Sequence, residues 1–371
     1  MPFSDYLGNP RIVTALRSML ANEQVPHAML FSGLRGVGKF TLGRMFAQAA
    51  NCERLRDDFC GECATCLAIG RLSEPAALIE QGLAERGESA DAATVERIPL
   101  LLEPHPDVCA IVPDPVRLRT PVARPVLRVG QLRAVQRAAY FKPVSRRRVF
   151  LVDGAETMRW DHANIFLKIL EEPPESATLI LMTTNPFLLL PTIRSRCLQF
   201  QFAPLEERLV EQILRERGQM STADRKMAAQ LADGSPGIAL TLDLAQSTEL
   251  RQAALRVLTS AADPRSASDL FTQTTELAKG QKVPFETILE VFYSLLTDVL
   301  ELSAECTDPV PRNPIVRKEL ASLSRRVNPE WVARAVARLD ELSGRLRRNI
   351  NKQMGLDAMA LSLAVSQKEK Q

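Results

Sequence analysis

A short run of strand-forming residues leads straight into a glycine-rich loop, and this constrains the fold of the chain more than any other feature. His27-Ala-Met-Leu-Phe-Ser32 reads as a buried strand, Gly33-Leu-Arg-Gly-Val-Gly38-Lys39 follows without a break, and Leu42 to Ala50 is small and apolar, as a packed helix would be. In the order strand, glycine loop, helix, backbone amides and a helix N-terminus converge on a place suited to an anion. Two more apolar runs, Val149-Phe-Leu-Val152 before Asp153 and Leu179-Ile-Leu-Met182 before Thr183, are too short for helices and show no polar alternation. They predict strands buried on both faces of a parallel sheet. Ligands of such sheets sit at the carboxyl ends of the strands, where Gly33, Asp153 and Thr183 all fall.

Residues 11–23 and 129–140 have the apolar spacing of helices. Residues 71–107, rich in Ala and Glu, predict an inserted helical segment, and 113–128, rich in Pro and Arg, a loop or edge hairpin. Strand signals stop near residue 204. Residues 205–242 read as a small helical bundle with a turn at Asp233-Gly-Ser-Pro-Gly237. Residues 245–371 read as helical throughout, with breaks at Pro264, Pro284, Pro309 to Pro314 and Pro329. The expected architecture is α/β: a P-loop domain with a parallel sheet over 1–203, a helical lid over 204–244 and an all-helical domain over 245–371. At 371 residues the chain is long enough for two or three domains, and its 5% aromatic content argues against a large all-β sandwich. No apolar run reaches membrane-spanning length, and the start MPFSDYLGNPRIV lacks a basic then apolar leader, so a cytoplasmic protein is expected.

Gly33-x4-Gly38-Lys39 matches most of the Walker A pattern. Gly33, Gly36 and Gly38 would let amides approach phosphate oxygens, and Lys39 would reach the β- and γ-phosphates. The magnesium-binding hydroxyl should come next, but that position is Phe40, with Thr41 one residue late. Asp153 resembles a Walker B aspartate. The water-orienting Glu expected after it is replaced by Gly154, and Glu156 lies two residues further on. Phosphoryl transfer rests on positioning and charge stabilisation, so a site missing two such parts is a poor catalyst. ATP or ADP binding without turnover stays open, and magnesium is not expected.

Cys52, Cys60, Cys63 and Cys66 read C-x7-C-x2-C-x2-C, a spacing that brings four thiolates to one tetrahedral ion. Structural zinc fits four sulfur ligands with no open position. The alternative, disulfides, needs an oxidising compartment that nothing in the chain marks. Cys109, Cys197 and Cys306 stand alone and are expected to be reduced. The formal net charge is only +3, but the segment between Asp114 and Asp153 holds no acidic residue and ten basic ones, among them Arg133 and Arg137. These two are four apart, hence on one helix face.

Taken together, these residues resemble the clamp-loader subunits of bacterial DNA polymerase III, within the AAA+ proteins. The resemblance covers nearly the whole chain. It is carried by His27-Ala-Met-Leu-Phe, the glycine loop, the four cysteines, His105-Pro-Asp107, Tyr140-Phe-Lys-Pro143, Asn164-Ile-Phe-Leu-Lys-Ile-Leu-Glu-Glu-Pro-Pro174 and Pro191-Thr-Ile-Arg-Ser-Arg-Cys197. The last two match the LLKxLEEPP and SRC motifs. Phe40, Gly154 and a lid sequence Gly234-Ser-Pro-Gly-Ile-Ala-Leu240 without arginine resemble the delta-prime type rather than the gamma/tau motor, and tau's added domains have no counterpart. The family's first cysteine spacing is commonly one residue longer, which makes Cys52 the ligand of weakest match.

The resemblance implies partners: gamma/tau and delta subunits in a hetero-pentamer, the sliding clamp, and primer-template DNA within the complex. It implies a helical collar over 245–371 and a degenerate nucleotide site. It also implies that Arg196 acts as an arginine finger in a neighbour's ATP site. Thr183 and Thr184 resemble sensor 1. Arg133 and Arg137 are expected along the DNA backbone, whereas Arg345 to Lys352 is expected in the collar. A working gamma/tau-type ATPase or another AAA+ remodeller is the alternative, and a zinc-bearing DNA-binding protein independent of any loader is a third.

Overall fold

The computed structural model describes residues 2–87, 90–115, 125–217, 220–263, 267–280, 283–304, 312–346 and 351–368. Cys306, Pro264, Pro309 to Pro311, Arg117, Arg119, Arg124 and the 347–350 part of the C-terminal basic run lie outside the described residues. The chain divides into two compact units: Met1–Glu216 with Gly234–Ile238, and Arg217–Asp233 with Ala239–Gln371. The segment 204–244, read from sequence as a lid of its own, is thus shared between the two.

The first unit is built on six strands: β1 (Ala28–Ser32), β2 (Leu102–His105), β3 (Val108–Ile111), β4 (Arg148–Val152), β5 (Ala177–Thr183) and β6 (Leu198–Gln201). Their order is β2-β3-β4-β5-β1-β6. All neighbours are parallel except β2 and β3. All seven residues of β5 are buried, as are the four of β3, which is why β5 reads as a continuous apolar run. Around the sheet stand α1 (Pro10–Ala21), α2 (Lys39–Asn51), α3 (Ala64–Gly70), α4 (Pro75–Arg86), α5 (Ala92–Arg97), α6 (Val129–Ala139), α7 (Trp160–Glu171) and α8 (Pro191–Arg194), with α9 (Glu207–Arg217) after it.

The expectation that 71–107 is helical needs correction. It contains α4 and α5, but Leu102–His105 pairs antiparallel with β3. Four residues carry no readable period, and Pro104 is tolerated because β2 is an edge strand. Helix α6 has the boundaries expected from its spacing. Its Gln131 side chain accepts from the Arg128 amide (2.8 Å) and donates to the carbonyls of Leu100 (2.9 Å) and Val112 (3.0 Å), so a buried amide ties the helix to the sheet.

The second unit is helical: α10 (Thr222–Leu231), α11 (Pro236–Thr241, whose first three residues belong to the first unit), α12 (Leu244–Ala261), α13 (Ala267–Gly280), α14 (Phe285–Ser303), α15 (Arg317–Ser324), α16 (Pro329–Leu346) and α17 (Lys352–Lys368). Its core is centred on the fully buried Trp331 and Phe292. A buried polar chain threads it. Arg251 donates to Asn313 (2.8 Å) and to the Leu231 carbonyl (3.4 Å), and Asn313 donates to Asp298 (3.0 Å). Among the described residues, no helix is long and apolar enough to cross a membrane.

Candidate functional site

The glycine loop joins β1 to α2 at the carboxyl edge of the sheet, where the Gly33 amide donates to the Thr183 carbonyl at the end of β5 (3.2 Å). The Lys39 ammonium donates to the carbonyls of Gly33 and Leu34, each at 2.7 Å. Lys39 is 7% exposed; burial lowers its pKa, and Asp153 and then Glu156 oppose that shift. Asp153 follows β4, and burial raises its carboxyl while Lys39 pulls it back. Loop lysine and strand-end carboxylate therefore share one partly desolvated corner.

The two gaps in the motif are physical. Phe40 occupies the first turn of α2, and a phenyl ring offers no ligand to a cation; Thr41 lies one residue further round the helix. Gly154 sits at φ +61°, where a Cβ would stand 2.6 Å from Pro113 Cγ. The missing acid is thus matched by a turn unfit for a side chain. Glu156 does not replace it, because its Oε1 accepts from the Thr184 hydroxyl (2.6 Å) and amide (3.2 Å). The hydroxyl of Thr183 is buried and accepts from the Asn185 amide (3.1 Å), capping the turn after β5. Of the two sensor-like threonines, Thr184 is the one bonded to a carboxylate of this site.

Residues remote in sequence complete the loop. Gly237 donates its amide to the Gly36 carbonyl (2.9 Å), and Ser235 donates its hydroxyl to the Arg35 carbonyl. Gly36 has φ +74°, and a Cβ there would stand 2.7 Å from Ser235 Oγ and 3.0 Å from the Ile238 nitrogen. Tyr6, its phenol pushed well above the usual range by burial, donates to the Gly38 carbonyl (3.4 Å). Sequence reading missed Tyr6 and Ser235, since nothing local links them to the loop.

Arg196 lies between α8 and β6, with its guanidinium on the surface. It donates to the Thr192 carbonyl (3.1 Å) and pairs with Glu171 at the end of α7 (3.0 Å). Their side chains are 37% and 51% exposed. The acidic motif at the end of α7 is thereby joined to the SRC motif, a link the sequence did not reveal. Cys197 beside it is buried, its thiol pushed up to about 12 by burial. Lys168 on α7 is exposed.

The sulfurs of Cys52, Cys60, Cys63 and Cys66 all lie within 4.8 Å of one another. Tetrahedral zinc–sulfur bonds of about 2.3 Å call for sulfurs about 3.8 Å apart. Backbone amides donate to the sulfurs: Leu55 (3.4 Å) and Cys60 (3.4 Å) to Cys52, Cys63 (3.3 Å) to Cys60, and Cys66 (3.4 Å) to Cys63. Such donors favour thiolates: those from Glu62 and Cys63 hold Cys60 down to about 6, whereas burial pushes the Cys66 thiol up. The donor set fits a four-coordinate thiophilic ion, and Cys52 belongs to it despite its spacing. Arg133 and Arg137 are both exposed on α6.

Residues 8–206 match the family model described as "DNA polymerase III, delta subunit". The chain is 33% identical over 214 residues to DNA polymerase III subunit tau/gamma of Haemophilus influenzae, covering 57% of this chain and 25% of that protein. It is 31% identical over 248 residues to subunit tau of Escherichia coli K12, covering 65% of this chain and 32% of that protein. The matched stretch thus spans a quarter to a third of these curated relatives. Among solved structures, a DNA polymerase III gamma subunit-related protein of Thermotoga maritima aligns at 17% identity and TM-score 0.39, over 97% of this chain and 99% of that one.

Proposed function

Because the chain belongs to the DNA polymerase III delta subunit family, we propose that it serves as a delta-prime-type subunit of a bacterial clamp loader, helping to set the sliding clamp on primed DNA. One observation carries the reading: Phe40 and the left-handed turn at Gly154 disable the chain's own nucleotide corner, while Arg196 stands at the surface. In this reading Arg196 acts in trans. Its guanidinium donates two parallel hydrogen bonds to the phosphoryl oxygens of a nucleotide held by a neighbouring subunit, which a lysine cannot do. Glu171 and the Thr192 carbonyl orient the fork. Gly33, Gly36, Gly38, Lys39, Thr41, Asp153 and Thr183 form the remnant of a phosphate cradle that supports no turnover.

Cys52, Cys60, Cys63 and Cys66 hold a structural zinc, which when bound ties the 52–66 loop to α2. Residues 245–371 form the collar by which gamma/tau and delta subunits assemble. Arg133 and Arg137 meet the backbone of primer-template DNA, giving affinity without sequence choice.

A second reading, a catalytically active gamma/tau-type ATPase, is favoured by the names of the sequence relatives, which are tau and gamma subunits. Steady-state ATP hydrolysis by the purified chain separates the two. The delta-prime reading expects no turnover above a Lys39→Ala control, together with incorporation into one stoichiometric complex with gamma/tau and delta. Robust hydrolysis abolished by Lys39→Ala would establish the motor reading instead.

A further inference from the structure

The cysteine cluster and the glycine loop stand at opposite ends of α2. Cys52 follows its last residue and Gly38 precedes its first, about 20 Å of helix apart. The N-terminal residues join the two places. Phe3 begins a single helical turn, Phe3–Asp5, and is 1% exposed. Its ring meets that of Phe59 edge to face, with 5.8 Å between centres and 83° between planes. Its amide donates to the Asp58 carboxylate (3.1 Å), and beside it Arg17 on α1 pairs with Asp57 (2.7 Å). Three residues further on, the Tyr6 phenol lies against Gly38. It donates to the Gly38 carbonyl, and a Cβ on Gly38, whose φ is +104°, would stand 2.6 Å from the phenol oxygen. The same carbonyl accepts from the Leu42 amide (3.0 Å), so Tyr6 holds the residue at which the glycine loop becomes α2.

The other end of this bridge depends on the sulfurs. Residues 52–63 form neither helix nor strand, so no ladder of backbone bonds sets their path. Leu55 and Cys60 bracket the stretch that meets Phe3, and both donate their amides to the one Cys52 sulfur (3.4 Å each). Cys60, next to Phe59 in sequence, belongs to the same group of four sulfurs. Amide bonds to sulfur are weak. A short loop of this kind takes its fixed shape from an ion that holds the sulfurs to a common centre. With that centre gone, Asp58 and Phe59 lose the constraint that presents them to Phe3.

We propose that residues 3–6 are a strap through which metal binding at Cys52, Cys60, Cys63 and Cys66 fixes the glycine loop, so that the metal state of the chain sets the shape of its nucleotide corner. This deepens the reading of the cysteines as a structural zinc site and rests on it. Phe3 is the metal-side anchor of the strap, and Tyr6 is a positioning residue for Gly38. Neither belongs to the cysteine cluster, so each can be changed with the ion in place.

The test is amide hydrogen exchange of the reduced full-length chain, with zinc bound and after its removal by a chelator, beside metal analysis of every sample. Removing zinc should speed exchange of the Phe3–Tyr6 turn and of the glycine loop by at least about fivefold, the worth of one net hydrogen bond, and leave β5 and the helices of the second unit unchanged. Phe3→Ala should keep its zinc yet exchange at the glycine loop like the metal-free wild type, and chelation should then add nothing there. Tyr6→Phe, which removes only the hydroxyl, guards against a Phe3 variant that does not fold. It should keep zinc and the Phe3 turn and speed exchange at the glycine loop about two- to fivefold. A chain that binds zinc but whose glycine loop exchanges at one rate with and without it overturns the strap and leaves the zinc reading standing. A chain that binds no zinc ends both. Two further results overturn the strap: a rise on chelation spread evenly over β5 and the second unit, which is general unfolding, and a Phe3→Ala chain whose loop keeps its full metal-dependent protection.

Discussion

Replacing Arg196 by alanine sets a structural effect against a chemical one of very different size. In the structure the guanidinium makes one ion pair and one carbonyl contact, with the two charged side chains 37% and 51% exposed. An exposed pair of this kind contributes about 0.2–1 kcal/mol. For a unit of this size that is a melting shift of at most about 4 °C, so the variant should fold and assemble. If the arginine instead serves a neighbour's ATP site, its loss removes about 10³–10⁵ in rate from that site, equivalent to roughly 4–7 kcal/mol. The assay is steady-state ATP hydrolysis by the assembled loader with clamp and primed DNA, alongside the melting curve of the isolated variant. Turnover of the site served by Arg196 should collapse while melting barely moves, and Arg196→Lys should not rescue it, because an ammonium lacks the planar fork. Undiminished turnover refutes the trans role. A melting loss of more than ten or so degrees refutes the surface geometry on which the separation depends.

Glu171→Gln, which keeps the shape but weakens the hold on Arg196, should lower loader turnover by about tenfold or less, since positioning is partly retained; an effect as large as that of Arg196→Ala would mean that Glu171 does more than orient. Gly154→Glu should not confer hydrolysis on the isolated chain. It should destabilise the chain by about 1–2 kcal/mol in urea unfolding, because φ +61° and Pro113 oppose a side chain there. A gain of turnover would show that the turn adapts. Metal analysis should find one zinc per chain, and Cys63→Ser should lose it along with several degrees of melting temperature; unchanged metal content would exclude the cluster as the site. Burial raises the Asp153 carboxyl above its usual 3.8, so the folded chain binds more protons than the unfolded one between that value and the raised one. Stability from this group is present at low pH and falls as pH rises through the window. The melting temperature of wild type minus that of Asp153→Asn should therefore fall as pH rises above the usual carboxylate value, and a rising difference would reverse the assignment.

Features encoded within a few consecutive residues are legible in the sequence itself. β1, β4 and β5 are buried on both faces, so their apolar runs are continuous and announce themselves, and α6 shows its period because one face is buried. The cysteine spacing foretold the cluster, since a C-x2-C turn brings its sulfurs together by local geometry. The gaps at Phe40 and Gly154 were likewise visible as letters. β2 escaped notice because four residues at a sheet edge have neither length nor period, and the 204–244 segment proved to be shared between two units.

The rest depended on pairs far apart along the chain. Ser235 meets Arg35 across 200 positions, Asn51 caps Arg147 across 96, and Asp107 holds Val144 across 37. A sequence lists donors and acceptors, but which of them meet is set by the packing of whole elements around the sheet. For the same reason the φ of Gly154 and the pairing of Arg196 with Glu171 follow from the folded chain: each is a compromise among neighbours that no local window contains.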